Sequence, residues 1–182
     1  MGRLRIDDLP DQALLLLDSA PVIYFLEDHP KLAKRFAPLF EAHGAGRVQF
    51  AATTITVSEV LTGPLKAQDD SAVRRYRAVF DTWRLVDLSA DIAESAARLR
   101  ASLGLRIADA IQAASALAIN ADALVTHDRD FGRVRTLRVL FWFPRSANRT
   151  RRRQGYLLTA DPSAAKTGDR DRRPIAGRRS SR

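Results

Sequence analysis

The run Ala13 to Leu17 is apolar at every position and ends on Asp18, with a helix signal directly behind it. A continuous apolar run this short reads as a strand buried on both faces, and such strands belong to parallel sheets covered by helices. Ser19 and Pro21 suit the cap and first turn of that helix, and Val22, Ile23, Phe25 and Leu26 give it an apolar face. A strand that feeds a helix this directly constrains the fold more than any other feature of the chain.

The same unit recurs. Pro30 to His43 places Leu32, Phe36, Leu39 and Phe40 at helical spacing, with Gly44 and Gly46 as stop signals. Val48 to Ala52 reads as a second strand, and Thr54 or Thr56 caps a short helix carrying Glu59 that Gly63 and Pro64 are expected to break. Asp69 to Trp83 is helical, Arg84 to Leu88 is a third strand, and Ser89 caps a helix that runs to about Ser102 before Gly104. A further helix covers Ile107 to about Ile119, Ala123 to Thr126 is a fourth strand, and Leu137 to Phe143 supplies a fifth after the polar segment His127 to Arg135. The fold class is therefore α/β, a three-layer α/β/α arrangement with a mostly parallel central sheet of four to five strands.

Charge divides the chain. Up to Pro144 there are 18 Lys and Arg against 18 Asp and Glu, and beyond it 12 against 3, so the whole excess of +9 lies at the C-terminal end. The division predicts a folded domain over residues 1–143 and a basic tail over residues 144–182. The tail, rich in Arg, Ser, Thr, Gly, Pro and Asp, carries too little apolar surface to offset its ordering entropy and is expected to be disordered. The neutral balance of the first part removes basicity as an argument for nucleic-acid binding there.

The absence of cysteine excludes disulfides, thiolate metal sites and a cysteine nucleophile, and makes the cytoplasm the default location. The run Ala13 to Leu17 is far shorter than the roughly 20 residues that cross a bilayer, so no membrane association is expected. Neither a Gly-x-x-x-x-Gly-Lys loop nor a Gly-x-Gly-x-x-Gly turn is present, and no Ser-His-Asp arrangement is suggested. His29, His43 and His127 read as structural or solvated, and Tyr76, Phe80 and Trp83 as packing residues.

Acidic residues gather at the strand ends. Asp18 follows the first strand, Glu59 lies in the helix after the second, Asp128 and Asp130 follow the fourth, and Asp109 sits in the first turn of an otherwise apolar helix. Each has an ordinary role open to it: Asp18 and Asp109 can favour helix N-termini, the latter by about 0.3 to 1 kcal/mol, Glu59 can be solvated, and Asp128 and Asp130 can shape a turn. Together, in a doubly wound sheet, four or five carboxylates would converge on one rim, where they repel unless a hard cation neutralises them. Oxygen-only ligands favour Mg²⁺ or Mn²⁺, and such ions suit phosphodiester hydrolysis.

Four segments in order, LLLLDSAPVIYFLE, TTITVSEVLTGPL, RIADAIQAASALA and LVTHDRDFGRV, closely resemble the PIN-domain family and specifically its VapC-type toxin ribonucleases of bacterial type II toxin-antitoxin systems. The likeness spans about Leu14 to Phe141. It implies a metal-dependent endoribonuclease with Asp18, Glu59, Asp109 and Asp128 as catalytic and metal-binding acids, Asp130 as a further, more variable ligand and Thr126 as the supporting hydroxyl. It also implies Mg²⁺ or Mn²⁺ as cofactor, RNA as substrate, a small antitoxin as inhibitor and a homodimer. The tail has no counterpart in the usual pattern. Two other classes fit less well: a non-catalytic RNA- or antitoxin-binding module of the same fold, and an Asp-cluster phosphatase or receiver-like domain, for which no lysine stands at the end of a later strand.

Overall fold

The computed structural model describes residues 8–141; the tail proposed over residues 144–182 lies outside the described residues. Five strands, β1 (Ala13–Leu17), β2 (Val48–Thr53), β3 (Arg84–Val86), β4 (Ala123–Thr126) and β5 (Val139–Phe141), form one sheet in the order β3-β2-β1-β4-β5. Every pairing is parallel. Leu15 lies opposite Phe50 on one side and Ala123 on the other, which makes β1 the central strand.

Alternation along the strands sorts side chains between two cores. Leu15, Leu17, Phe50, Ala52 and Val125 face α1 (Ser19–Leu26), α2 (Ala33–Gly44), α3 (Thr54–Lys66) and α4 (Asp70–Phe80), whose Val22, Phe36, Leu39, Val60, Tyr76 and Phe80 join that cluster. Leu16, Ala51 and Leu124 face the other way, against Ile92 and Ala96 of α5 (Ala90–Leu103) and Ala110, Ile111, Ala113 and Ala114 of α6 (Ile107–Ala118). Helices on both faces of a parallel sheet complete the three layers.

Several boundaries differ from the sequence reading. Thr53, not Thr54 or Thr56, caps α3, its hydroxyl accepting the Thr56 N–H at 3.1 Å. The helix also continues through Gly63 and Pro64 to Lys66. A proline in the last turn forfeits one backbone hydrogen bond, and the ring of Pro64 is buried, which offsets that loss. Asp18 rather than Ser19 caps α1, and Pro38 sits inside α2. At α5 the Ser89 cap and the Gly104 stop stand where the sequence puts them, with Gly104 left-handed at φ 66°. Among the described residues, no helix is long and apolar enough to cross a membrane.

Candidate metal centre at the carboxyl rim of the sheet

The chain runs outward from β1 to β2 and β3, then returns to β4 on the other side of β1. In open parallel sheets the crevice at such a reversal, outside the carboxyl ends of the strands, is where ligands bind. Here it opens between Asp18, immediately after β1, and Thr126, the last residue of β4, and the Asp18 N–H bridges the gap by donating to the Val125 carbonyl at 3.0 Å.

A continuous chain of hydrogen bonds and ion pairs links four of the candidate acids, Asp18, Asp128, Asp130 and Asp109, across this crevice. Asp18 Oδ1 accepts the Ser19 N–H at 2.8 Å, and Asp18 Oδ2 accepts the Thr126 hydroxyl at 2.7 Å. The Thr126 oxygen in turn accepts the Asp128 N–H at 3.0 Å, and Asp128 Oδ1 accepts the Asp130 N–H at 2.9 Å. Asp128 Oδ2 pairs with Arg106 Nη2 at 2.7 Å, and Arg106 Nε pairs with Asp109 Oδ2 at 2.8 Å. Thr126 thus holds both the Asp18 carboxylate and the backbone of Asp128.

Electrostatics mark the same place. Burial pushes the Asp18 carboxyl up to about 6, against the opposing hydrogen bonds from Thr126 and Ser19, and the negative charges of Glu59 and Asp109 push it further up. Asp109, buried in the first turn of α6, is also raised, because desolvation outweighs its hydrogen bond and ion pair with Arg106. Glu59 stands on the exposed side of α3, close enough for its charge to bear on Asp18. Asp130 pairs with Arg133 at 3.3 Å.

The sequence-predicted acids are therefore brought to one rim, but not into a ready-made ligand set: among the described residues, no three His, Asp or Glu side chains stand close enough to hold a metal ion. Their donor chemistry fits a hard divalent cation, since every candidate ligand is a carboxylate and the guanidinium of Arg106 already stands in as a cation between Asp109 and Asp128. Asp18, Glu59, Asp109 and Asp128 would hold such an ion, with Asp130 beside them.

The histidines are engaged elsewhere. His127 Nδ1 lies 3.0 Å from the Tyr24 hydroxyl, His43 Nδ1 lies 3.1 Å from the Val48 carbonyl, and His29 Nδ1 accepts the Leu32 N–H at 3.2 Å. Burial lowers the pKa of His127, which favours the neutral ring.

Two features escape the sequence reading. Arg106 is one, although its i,i+3 spacing to Asp109 is the signal that a helical ion pair leaves. The other is a buried amide-hydroxyl cluster beneath the rim: Gln112 Nε2 donates to Thr56 Oγ1 at 2.6 Å, and Thr53 Oγ1 donates to Gln112 Oε1 at 3.2 Å. Thr56 Oγ1 also donates to the Leu17 carbonyl at 3.3 Å, which ties α6 and α3 to the end of β1 next to Asp18.

The family model of the PIN domain matches residues 15–137. Among solved structures, the chain is similar to a toxin-antitoxin complex from Klebsiella pneumoniae, at 28% identity over 69% of this chain and 94% of that one, with a TM-score of 0.55. It is similar in fold to VapBC2 from Rickettsia felis bound to a DNA fragment from its promoter, at 22% identity over 71% and 99% with a TM-score of 0.59. A third similar fold is VapC20 from Mycobacterium tuberculosis, a sarcin-ricin loop cleaving toxin, at 12% identity over 66% and 95% with a TM-score of 0.55. No curated protein matches the chain significantly. With the family match spanning nearly all of the described domain and the acids standing at the rim of a parallel three-layer fold, the chain belongs to the PIN-domain family.

Proposed function

We propose that this protein is a metal-dependent endoribonuclease, a VapC-like toxin that hydrolyses RNA phosphodiester bonds in the cytoplasm and is inhibited by a small cognate antitoxin. The observation that carries the reading is the Asp18-Thr126-Asp128-Arg106-Asp109 assembly at the sheet reversal of a PIN domain. Toxin-antitoxin complexes among the similar structures support the antitoxin, and the toxin that cleaves the sarcin-ricin loop supports RNA as substrate. A homodimer completes the proposal.

In this reading Asp18 is held rigidly by two hydrogen bonds, and Asp128 is fixed through its backbone, so the acids meet a cation with little loss of side-chain freedom. Glu59 adds a carboxylate from α3. A divalent ion held by these acids supplies Lewis acidity at a phosphoryl oxygen and a lowered pKa for water. Burial is the main reason the Asp18 pKa is raised, and the charges of Glu59 and Asp109 that add to it are ones a divalent cation would offset.

The test is RNA cleavage by the purified full chain with Mg²⁺ or Mn²⁺, with chelator, and in the Asp18→Asn and Asp109→Asn variants. Cleavage is expected only with metal and to fall at least 100-fold in either variant. Undiminished cleavage in chelator, or full activity in both variants, overturns the proposal.

A further inference from the structure

Arg106 is the N-cap of α6, extended at φ −65° and ψ 159°, and its side chain makes no capping hydrogen bond to the helix. Instead it reaches over the first turn. Nε takes Asp109 Oδ2 at 2.8 Å, while Nη2 takes Asp128 Oδ2 at 2.7 Å and lies 3.5 Å from Asp109 Oδ1. One guanidinium thus bridges two carboxylates delivered by different elements, the first turn of α6 and the loop after β4.

The atoms involved are the ones a cation needs. Asp128 Oδ1 is committed to the Asp130 N–H, which leaves Oδ2, the oxygen that Arg106 holds. Arg106 also engages both oxygens of Asp109. The exposure is asymmetric: the Arg106 side chain is 67% exposed, whereas those of Asp109 and Asp128 are 11% and 33% exposed. The carboxylates are anchored in the protein and the guanidinium lies over them from the solvent side, so it can leave without disturbing the core.

We propose that Arg106 is the resident counter-cation of the Asp109 and Asp128 carboxylates, and that a divalent ion has to displace it to enter the site. The inference rests on the metal-dependent reading above and adds a residue that sets metal affinity. Charge-assisted pairing stabilises the metal-free rim, and the same pairing opposes the incoming ion, since both cations compete for the same oxygens. Arg106 is therefore a positioning residue: it holds the two acids side by side before the metal binds and regulates how readily the metal does so.

The test uses the full chain, Arg106→Gln and Arg106→Lys, with Mn²⁺ binding followed by calorimetry and melting followed in chelator. Arg106→Gln is expected to bind Mn²⁺ roughly three- to tenfold more tightly and to melt lower in chelator, where the two carboxylates face each other without a counter-charge. Arg106→Lys keeps the charge but offers a single ammonium where the guanidinium offers a fork, so its Mn²⁺ affinity is expected between those of the parent and Arg106→Gln; it carries the test if Arg106→Gln does not fold. Variants that bind Mn²⁺ no more tightly than a parent that does bind it overturn this proposal alone. A parent and variants that all fail to bind Mn²⁺ overturn it together with the metal-dependent reading.

Discussion

Asp18 carries the clearest electrostatic strain of any residue at the rim, and its sign fixes a pH dependence. Its folded pKa of about 6 lies above the ordinary aspartate value of 3.8, so between those two pH values the folded state binds a proton that the unfolded chain does not. Stability from this group is full below about pH 4 and is lost as pH rises through 6, at most about 3 kcal/mol for a shift of this size. In chelator, urea midpoints of the parent should therefore drop between pH 4 and 7, and Asp18→Asn should drop distinctly less; Asp109, raised in the same direction, keeps part of the slope. Equal slopes in the two proteins would remove the basis for a strained Asp18. Both strained acids are legible in the sequence, because an acid that ends a buried strand or opens an apolar helix is conspicuous there. Of Arg106 only the i,i+3 pairing with Asp109 leaves a signal in the sequence; its reach to Asp128 in the loop after β4 depends on the strand order and leaves none.

Individual elements are legible where periodicity and punctuation agree, as at β1, α5 and the α6 stretch, and are misread where punctuation stands alone. Gly63 and Pro64 look like a stop, yet α3 runs to Lys66 because burial of Pro64 outweighs one missing bond. The strand order is beyond reach of local signals, as is the contact that joins α6 to α3. Gln112, 1% exposed in a run of alanines, links Thr53 and Thr56 at the N-terminus of α3, and Thr56 reaches the last carbonyl of β1. Gln112→Ala should cost about 2 to 4 kcal/mol in chemical denaturation, combining a cavity with poorly satisfied hydroxyls. Gln112→Leu restores most of the volume and isolates the polar share, about 1 to 3 kcal/mol. If Gln112→Leu is as stable as the parent, the cluster is not what fastens the two helices beneath the acids.

At the scale of the whole molecule, the domain that forms the sheet is electrically neutral, and the entire net charge of +9 lies beyond Pro144. This partition is legible in full from the sequence, because it is a count and needs no fold. Under the proposed function it separates two properties: the chemistry assigned to the acids at the rim, and affinity for a polyanion, which the neutral domain has little net charge to supply. If residues 144–182 meet RNA through their arginines, each phosphate neutralised releases counterions, and the logarithm of affinity falls with the logarithm of salt by about 0.7 per phosphate on a single strand. Truncation after Phe143 should then leave the melting transition and the cleavage of a short RNA nearly unchanged. It should also weaken binding to a long RNA at low salt and flatten the salt slope by about 0.7 for every phosphate that the arginines no longer neutralise. Binding and salt slope unchanged by truncation would place RNA affinity in the neutral domain itself, and loss of folding would show that residues beyond 143 belong to its core.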